Sequence, residues 1–160
     1  MYDCGKQLVY GIHGICAITE IEEKVIDRKT VSYYVLVPLA QPGAKYYIPV
    51  HNHVALTKLR ELLTPVEVKA LLESSAPDES LWIPEENRRK LRYRELIGNC
   101  DPVSMYHMVR LLQNHRDEQL AQGRKFHICD AVFLKDAKAL LVSEFSYVLG
   151  IHKDAVMDMF

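Results

Sequence analysis

Arg88-Arg89-Lys90-Leu91-Arg92-Tyr93-Arg94 places five cations in seven residues that include no acid. On a helix, Arg88 and Arg92 lie one turn apart with Arg89 nearby, while Lys90 and Arg94 form a second row about opposite, so the basic surface is broad. Guanidinium groups suit phosphate oxygens through paired hydrogen bonds, which position a duplex without reading its sequence. A solvated helix face accounts for the same pattern equally well. Trp82, the single tryptophan, stands six residues before the cluster in a segment read as a loop. A tryptophan just ahead of a helix commonly anchors a core through its large apolar surface.

The remaining residue types that do chemistry are weaker signals. His51-Asn52-His53 spells a short nuclease-like string, and a metal-dependent hydrolase built on His13, His51 and His53 is the rival it suggests. Nuclease ligands, however, are dispersed over a strand and a helix, so a strand-to-helix turn with exposed imidazoles is the better reading, and His13 reads as a turn-packing residue. Cys4, Cys16, Cys100 and Cys129 are scattered without a C-x-x-C pair. That indicates reduced, mostly packed thiols and neither a zinc cage nor a disulfide framework. The acidic patches at Glu20, Glu22, Glu23 and at Asp78, Glu79 read as solvated faces. No catalytic triad or carboxylate pair is arguable from spacing, and no G-x-x-x-x-G-K-[ST] is present. The expectation is a protein with no catalytic activity, no metal and no cofactor.

Net charge is −1, unevenly spread: residues 1–63 carry 7 basic and 6 acidic side chains, 64–83 carry 1 and 4, 84–125 carry 9 and 6, and 126–160 carry 3 and 5. Counterion release by Lys and Arg supplies most non-specific affinity for nucleic acid, so a DNA role here calls for a partner. No run reaches the roughly 18–20 apolar residues that span a bilayer, and the N-terminus lacks the order of a signal peptide. The expected location is the cytoplasm.

The elements that must position these residues change character along the chain. Leu8-Val9-Tyr10, the alternating stretch Ile15–Ile26, Val31–Val37 and Tyr46–Val50 read as four or five short antiparallel strands. They are separated by a glycine-bearing turn at Gly11–Gly14, a polar hairpin loop at Asp27–Thr30 and a Pro42-Gly43 turn. From residue 52 the period is helical. Asn52 caps a short helix carrying Val54, Leu59, Leu62 and Leu63. Thr64-Pro65 and Asp101-Pro102 start further helices, Pro84 opens one that ends near Gly98, and Gly123 and Gly150 stop two long ones. Strands followed by helices predict an α+β chain: a β module over 1–52 and an all-α bundle over 53–160, with a loop at 74–83 inside it.

Val9-Tyr10-Gly11-Ile12-His13-Gly14-Ile15-Cys16, the strand with Tyr34-Val35-Leu36, and Ile48-Pro49-Val50 with Asn52 resemble the polymerase-interacting domain of the CarD/CdnL family, which the transcription-repair coupling factor shares. The resemblance implies a small Tudor-like β barrel or sheet, one of whose exposed edge strands pairs with a strand of the RNA polymerase β subunit. It places Lys24, Tyr47, Ile48 and Pro49 at polymerase-contacting positions. Some relatives hold arginine at such positions, and a tyrosine at 47 cannot form a guanidinium fork.

Arg88-Arg89 and Gly123-x-Lys125 are similar to a basic pair and a Gly-x-Lys segment of the family's DNA-facing helical half, so Trp82, Arg88, Arg89, Lys90, Arg92 and Lys125 are the residues implied for promoter DNA. A family tryptophan wedges into the minor groove beside the opening bubble. Counting back from Asp101 puts that slot at Glu86, four residues after Trp82, so core anchor and wedge both stay open for Trp82. The implied function is a bacterial regulator that holds polymerase and tunes open-complex stability. The alternative is an adaptor whose helical half docks a second protein. An edge strand that meets polymerase can also meet a second copy of the chain, giving a homodimer.

Overall fold

The computed structural model describes all residues except 75, 76 and 78. The expected 74–83 loop and the acid at 78 therefore lie partly or wholly outside the described residues. The chain divides into two compact units, Met1–Leu62 and Leu63–Phe160. Together they make the expected α+β class.

The first unit is a five-stranded antiparallel sheet of β1 (Gln7–Tyr10), β2 (Ile15–Ile26), β3 (Lys29–Pro38), β4 (Tyr46–Pro49) and β5 (Leu59–Glu61), in the order β4-β3-β2-β1-β5. Asp27 and Arg28, both left-handed at φ 49° and 63°, form the two-residue turn between β2 and β3. Positive φ at both positions matches the twist of the flanking strands. A bulge between Ile18 and Glu20 bends β2, and the Thr19 hydroxyl donates to the Val35 carbonyl at 3.3 Å. Gly14 (φ 71°, ψ −148°) takes a conformation open essentially to glycine alone, which lets the chain reverse into β2. Leu8, Cys16, Ile18, Tyr34, Leu36, Ile48, Val50 and Leu59 form the core of this unit.

The expected boundary at 52/53 moves to 62/63. Asn52 does cap a helix, its Oδ1 accepting the Ala55 N–H at 3.1 Å, but that helix, α1, spans only His53–Leu56. Leu59 belongs to β5, which pairs with β1 and closes the sheet, so its side chain completes the β core.

The second unit holds α2 (Pro65–Leu72), α3 (Glu86–Gly98), α4 (Pro102–Ala121), α5 (Ile128–Leu149) and α6 (Lys153–Met157). Thr64 and Glu67 form a reciprocal capping box at α2. Asp101 caps α4 through the Ser104 N–H, and Gly150 ends α5 in the left-handed conformation. Tyr106, Val109, Leu112, Leu134, Leu141 and Phe145 lead the core between α4 and α5. The Leu63 N–H, at the head of this unit, donates to the buried Glu144 carboxylate at 3.0 Å. Among the described residues no helix is long and apolar enough to cross a membrane.

Candidate functional site

On the sheet, β1 covers only the first residues of β2: the pairing runs from Ile15 to Ala17, and main-chain bonds from Lys6 and Gly5 reach Ile18. Beyond it, β2 is paired with β3 on one side and carries no main-chain bond on the other among the described residues. This open edge exposes Ile21 (40%) and Val25 (74%), apolar side chains that a free strand edge normally avoids.

The opposite edge is less open. In the β3–β4 register, alternate residues of β4 turn toward β3, and the Val50 N–H bonds the Ser32 carbonyl at 2.9 Å. Tyr47 and Pro49 therefore face outward along the strand. Pro49 has no N–H, and its carbonyl already accepts the Asn52 N–H at 3.1 Å. Among the described residues of β4, Tyr47 alone offers main-chain groups there.

The structure brings Lys24 and Tyr47 together. Lys24, on the distal half of β2, holds its ammonium 3.9 Å from the Tyr47 ring centre and 6.0 Å from that of Tyr33, with Glu22 at 3.7 Å. These side chains share the outer face of the sheet, Lys24 on the strand with the open edge and Tyr47 across β3 on β4. Pro49 lies half-buried on that face, opposite Tyr33. Ile48 is a correction: at 2% exposure its side chain belongs to the sheet core and is not available to a partner.

The basic segment lies on α3, where it divides by burial. Arg89 is 3% exposed and corrects the expected DNA contact. Its Nε and one terminal nitrogen fork onto Asp130 at 2.9 and 2.8 Å. The other nitrogen donates to the Ile83 and Pro84 carbonyls at 2.9 and 3.1 Å. The hydrogen bond to Asp130 raises the guanidinium pKa further, and four of the five N–H donors of the fork are occupied within the fold. Arg89, Tyr93 and Ile97 are spaced by four and form the inward stripe of α3.

Trp82 is packed into the same cluster. Its ring stacks on His115 at 3.7 Å and faces the Arg89 guanidinium at 4.6 Å, an anchor's environment; insertion into DNA would require it to leave both neighbours. Lys90 is ion-paired with Glu86, and Arg92 with Glu95 at 3.0 Å. Arg88 and Arg94 are exposed and have no ion-pair partner among the described residues. Lys125 is exposed on the loop after α4, a loop whose His127 comes within 3.9 Å of Glu86.

His13 is held between Tyr10 and Tyr46, at ring separations of 4.9 and 4.1 Å, and burial lowers its pKa. His51 and His53 are exposed, and among the described residues no three His, Cys, Asp or Glu side chains gather as a metal site. Burial pushes the Cys16 thiol up to about 11, far from a reactive thiolate. Sequence reasoning missed Asp130 and His115. Both sit in helices, far along the chain from the residues they hold, with no local pattern to mark them.

These features define the first unit as a small five-stranded β module with one open strand edge and a charged aromatic face next to it. Residues 2–60 match the model of the CarD-like/TRCF RID domain, so the first unit is a domain of that family. A comparison with curated proteins finds no match.

Proposed function

We propose that the chain is a transcription regulator whose β module binds the RNA polymerase β subunit and whose helical unit contacts promoter DNA, modulating the stability of the open complex. The observation that carries this reading is the open edge of β2, with Lys24 on that strand meeting Tyr47 across the outer face, within a domain of a polymerase-interacting family. An incoming strand gains main-chain hydrogen bonds at such an edge, and the side chains alongside supply selectivity. Lys24 matches an acidic partner strand, with Tyr47 and Tyr33 holding the ammonium in place.

On the helical unit, Arg88, Arg92 and Lys125 are the cations implied for the DNA backbone; Arg94, exposed on the same helix, adds to them. So few cations on a near-neutral chain give weak binding without polymerase. Preferential binding to the open promoter would then raise the open population by the difference in affinity alone. A second reading has its own support: Leu91 is 66% exposed amid the basic segment, and Lys90 and Arg92 are engaged by glutamates, which suits an adaptor docking a second protein.

Open-complex lifetime with Arg88→Glu/Arg92→Glu separates the two. Regulation predicts a shorter lifetime with polymerase binding intact, and the adaptor predicts no change in lifetime. Absence of co-elution with both core polymerase and its isolated β lobe would sink the polymerase assignment.

A further inference from the structure

We infer that two copies of this chain pair through the open edge of β2, antiparallel about a two-fold axis at Glu23. Ile26 and Lys29 flank a two-residue turn and so exchange hydrogen bonds across it. Alternation from there leaves Ile21, Glu23 and Val25 with their N–H and C=O groups directed away from β3. A second β2 satisfies those groups only in registers that set outward residues opposite outward residues.

With the axis at Glu23, Ile21 of each copy faces Val25 of the other, Glu22 faces Lys24, and Glu23 faces itself. The two most exposed apolar side chains of the edge's outward set thereby cover each other. Each Lys24 lies 3.7 Å from its own Glu22 and 3.9 Å over the Tyr47 ring on β4; with the exposed ammonium swung from that ring toward the axis, the two lysines and the two Glu22 carboxylates make a ring of four alternating charges. One like-charge contact, Glu23 on Glu23, opposes it, and facing ion pairs and apolar pairs each outweigh or match such a contact. Sliding one strand by two residues instead sets Glu22 on Glu22 or Lys24 on Lys24 and parts Ile21 from Val25. Glu20, which one of those registers would need for Lys24, is engaged by Lys45 at 3.6 Å. The strand is complementary to itself in one register.

A single added strand pair is a small interface, so the dimer is weak, with a Kd on the order of 100 μM. If the polymerase reading above holds, the same edge serves both partners, and self-pairing masks it in the free protein.

Sedimentation of the full chain from about 10 μM to about 1 mM, the range in which so small an interface associates, tests the pairing. The dimer fraction should rise across that range. Glu22→Lys and Lys24→Glu should each weaken association by about tenfold or more, since two attractions become two repulsions. An equimolar mixture of the two variants, or the double variant, should recover it, because lysine again faces glutamate. Thermal unfolding of each variant confirms an unchanged fold.

A wild-type chain that stays monomeric throughout, or a mixture no better than its components, overturns the inference. Binding of the β lobe is measured separately. A chain that stays monomeric across the range and binds the lobe overturns self-pairing and leaves the polymerase reading standing; a chain that dimerises, yet fails to bind the lobe at about 1 μM, where the weak dimer has dissociated and the edge is free, supports self-pairing and removes that reading.

Discussion

In the helical unit the Arg89 guanidinium lies 4.6 Å from the Trp82 ring centre, sealed from solvent and forked onto Asp130. In the sheet unit the Lys24 ammonium lies 3.9 Å over Tyr47, and 41% of its side chain is still exposed. Each pair sets a cation on an aromatic face, yet their surroundings give them different roles. Arg89 is the polar centre of a packed cluster, four of its five donors spent on a carboxylate or a carbonyl. Lys24 is held in place but keeps directions free for a partner. A cation in a basic segment is informative about binding only after its burial is known.

The largest effect that can break this contrast is at Arg89. Arg89→Ala leaves the Asp130 carboxylate, 1% exposed, without its partner, and removing one member of a buried pair costs about 3–5 kcal/mol. Urea unfolding of the variant measures it. Arg89→Met combined with Asp130→Leu should regain most of the loss, because a well-packed apolar pair replaces a buried ion pair at little net cost. A single variant that loses under about 1 kcal/mol, the scale of a surface pair, would place Arg89 outside the core.

Trp82→Ala comes next, at about 2 kcal/mol, below the full cost of a core tryptophan because the ring is only partly buried. The same denaturant titration reads it. A variant that leaves stability unchanged would free Trp82 for a role in binding.

Much of the scaffold was legible because its signals are local. The Thr64 and Asp101 caps, Pro at the helix starts and Gly150 at the end of α5 act within one turn, and the structure has them in place. The third helix starts at Glu86, two residues after the expected Pro84. β5 was not legible: Leu59–Glu61 is too short to show a period of two, and its pairing with β1 joins residues about fifty positions apart.

For the site, the spacing of Arg89, Tyr93 and Ile97 was available as an inward stripe, but the number of cations around Arg89 outweighed it. Nothing local tied Arg89 to Asp130. Lys24 and Tyr47 were placed by resemblance, and their meeting depends on a register carried across three strands.

A pH titration of stability sharpens the contrast from the other side of Trp82. Burial lowers the His115 pKa; Asp130, Glu118 and Glu79 oppose that shift, and Arg89 adds to it. In the unfolded chain the imidazole takes its proton near pH 6.5, whereas the folded chain takes it lower. Between the two values the unfolded state binds more protons, so this group's effect is absent above about pH 6.5 and stability falls as pH drops below it, levelling once the folded imidazole is charged. His13 shifts in the same direction, so the useful comparison is wild type against His115→Phe. The variant should lose part of the slope below pH 6.5. Equal slopes would mean the stack on Trp82 does not govern this proton.

The smallest expected effect is at Lys24, and there the two regions should part most clearly. Lys24→Ala removes an exposed cation–π contact and an exposed pair with Glu22, worth together about 0.5–1 kcal/mol, and leaves no buried group behind. Differential scanning calorimetry of the wild type and the variant reads that difference. β4 should stay docked, because Ile48 and Val50 anchor it from the core face and Tyr34 and Leu36 receive it. If Lys24→Ala instead cost as much as Arg89→Ala, the ammonium would be fastening β4 to the sheet, and its placement over Tyr47 would be a matter of folding. A small cost leaves the side chain's position unexplained by stability, which is the condition under which its neighbourhood to an open strand edge bears on what the β module binds.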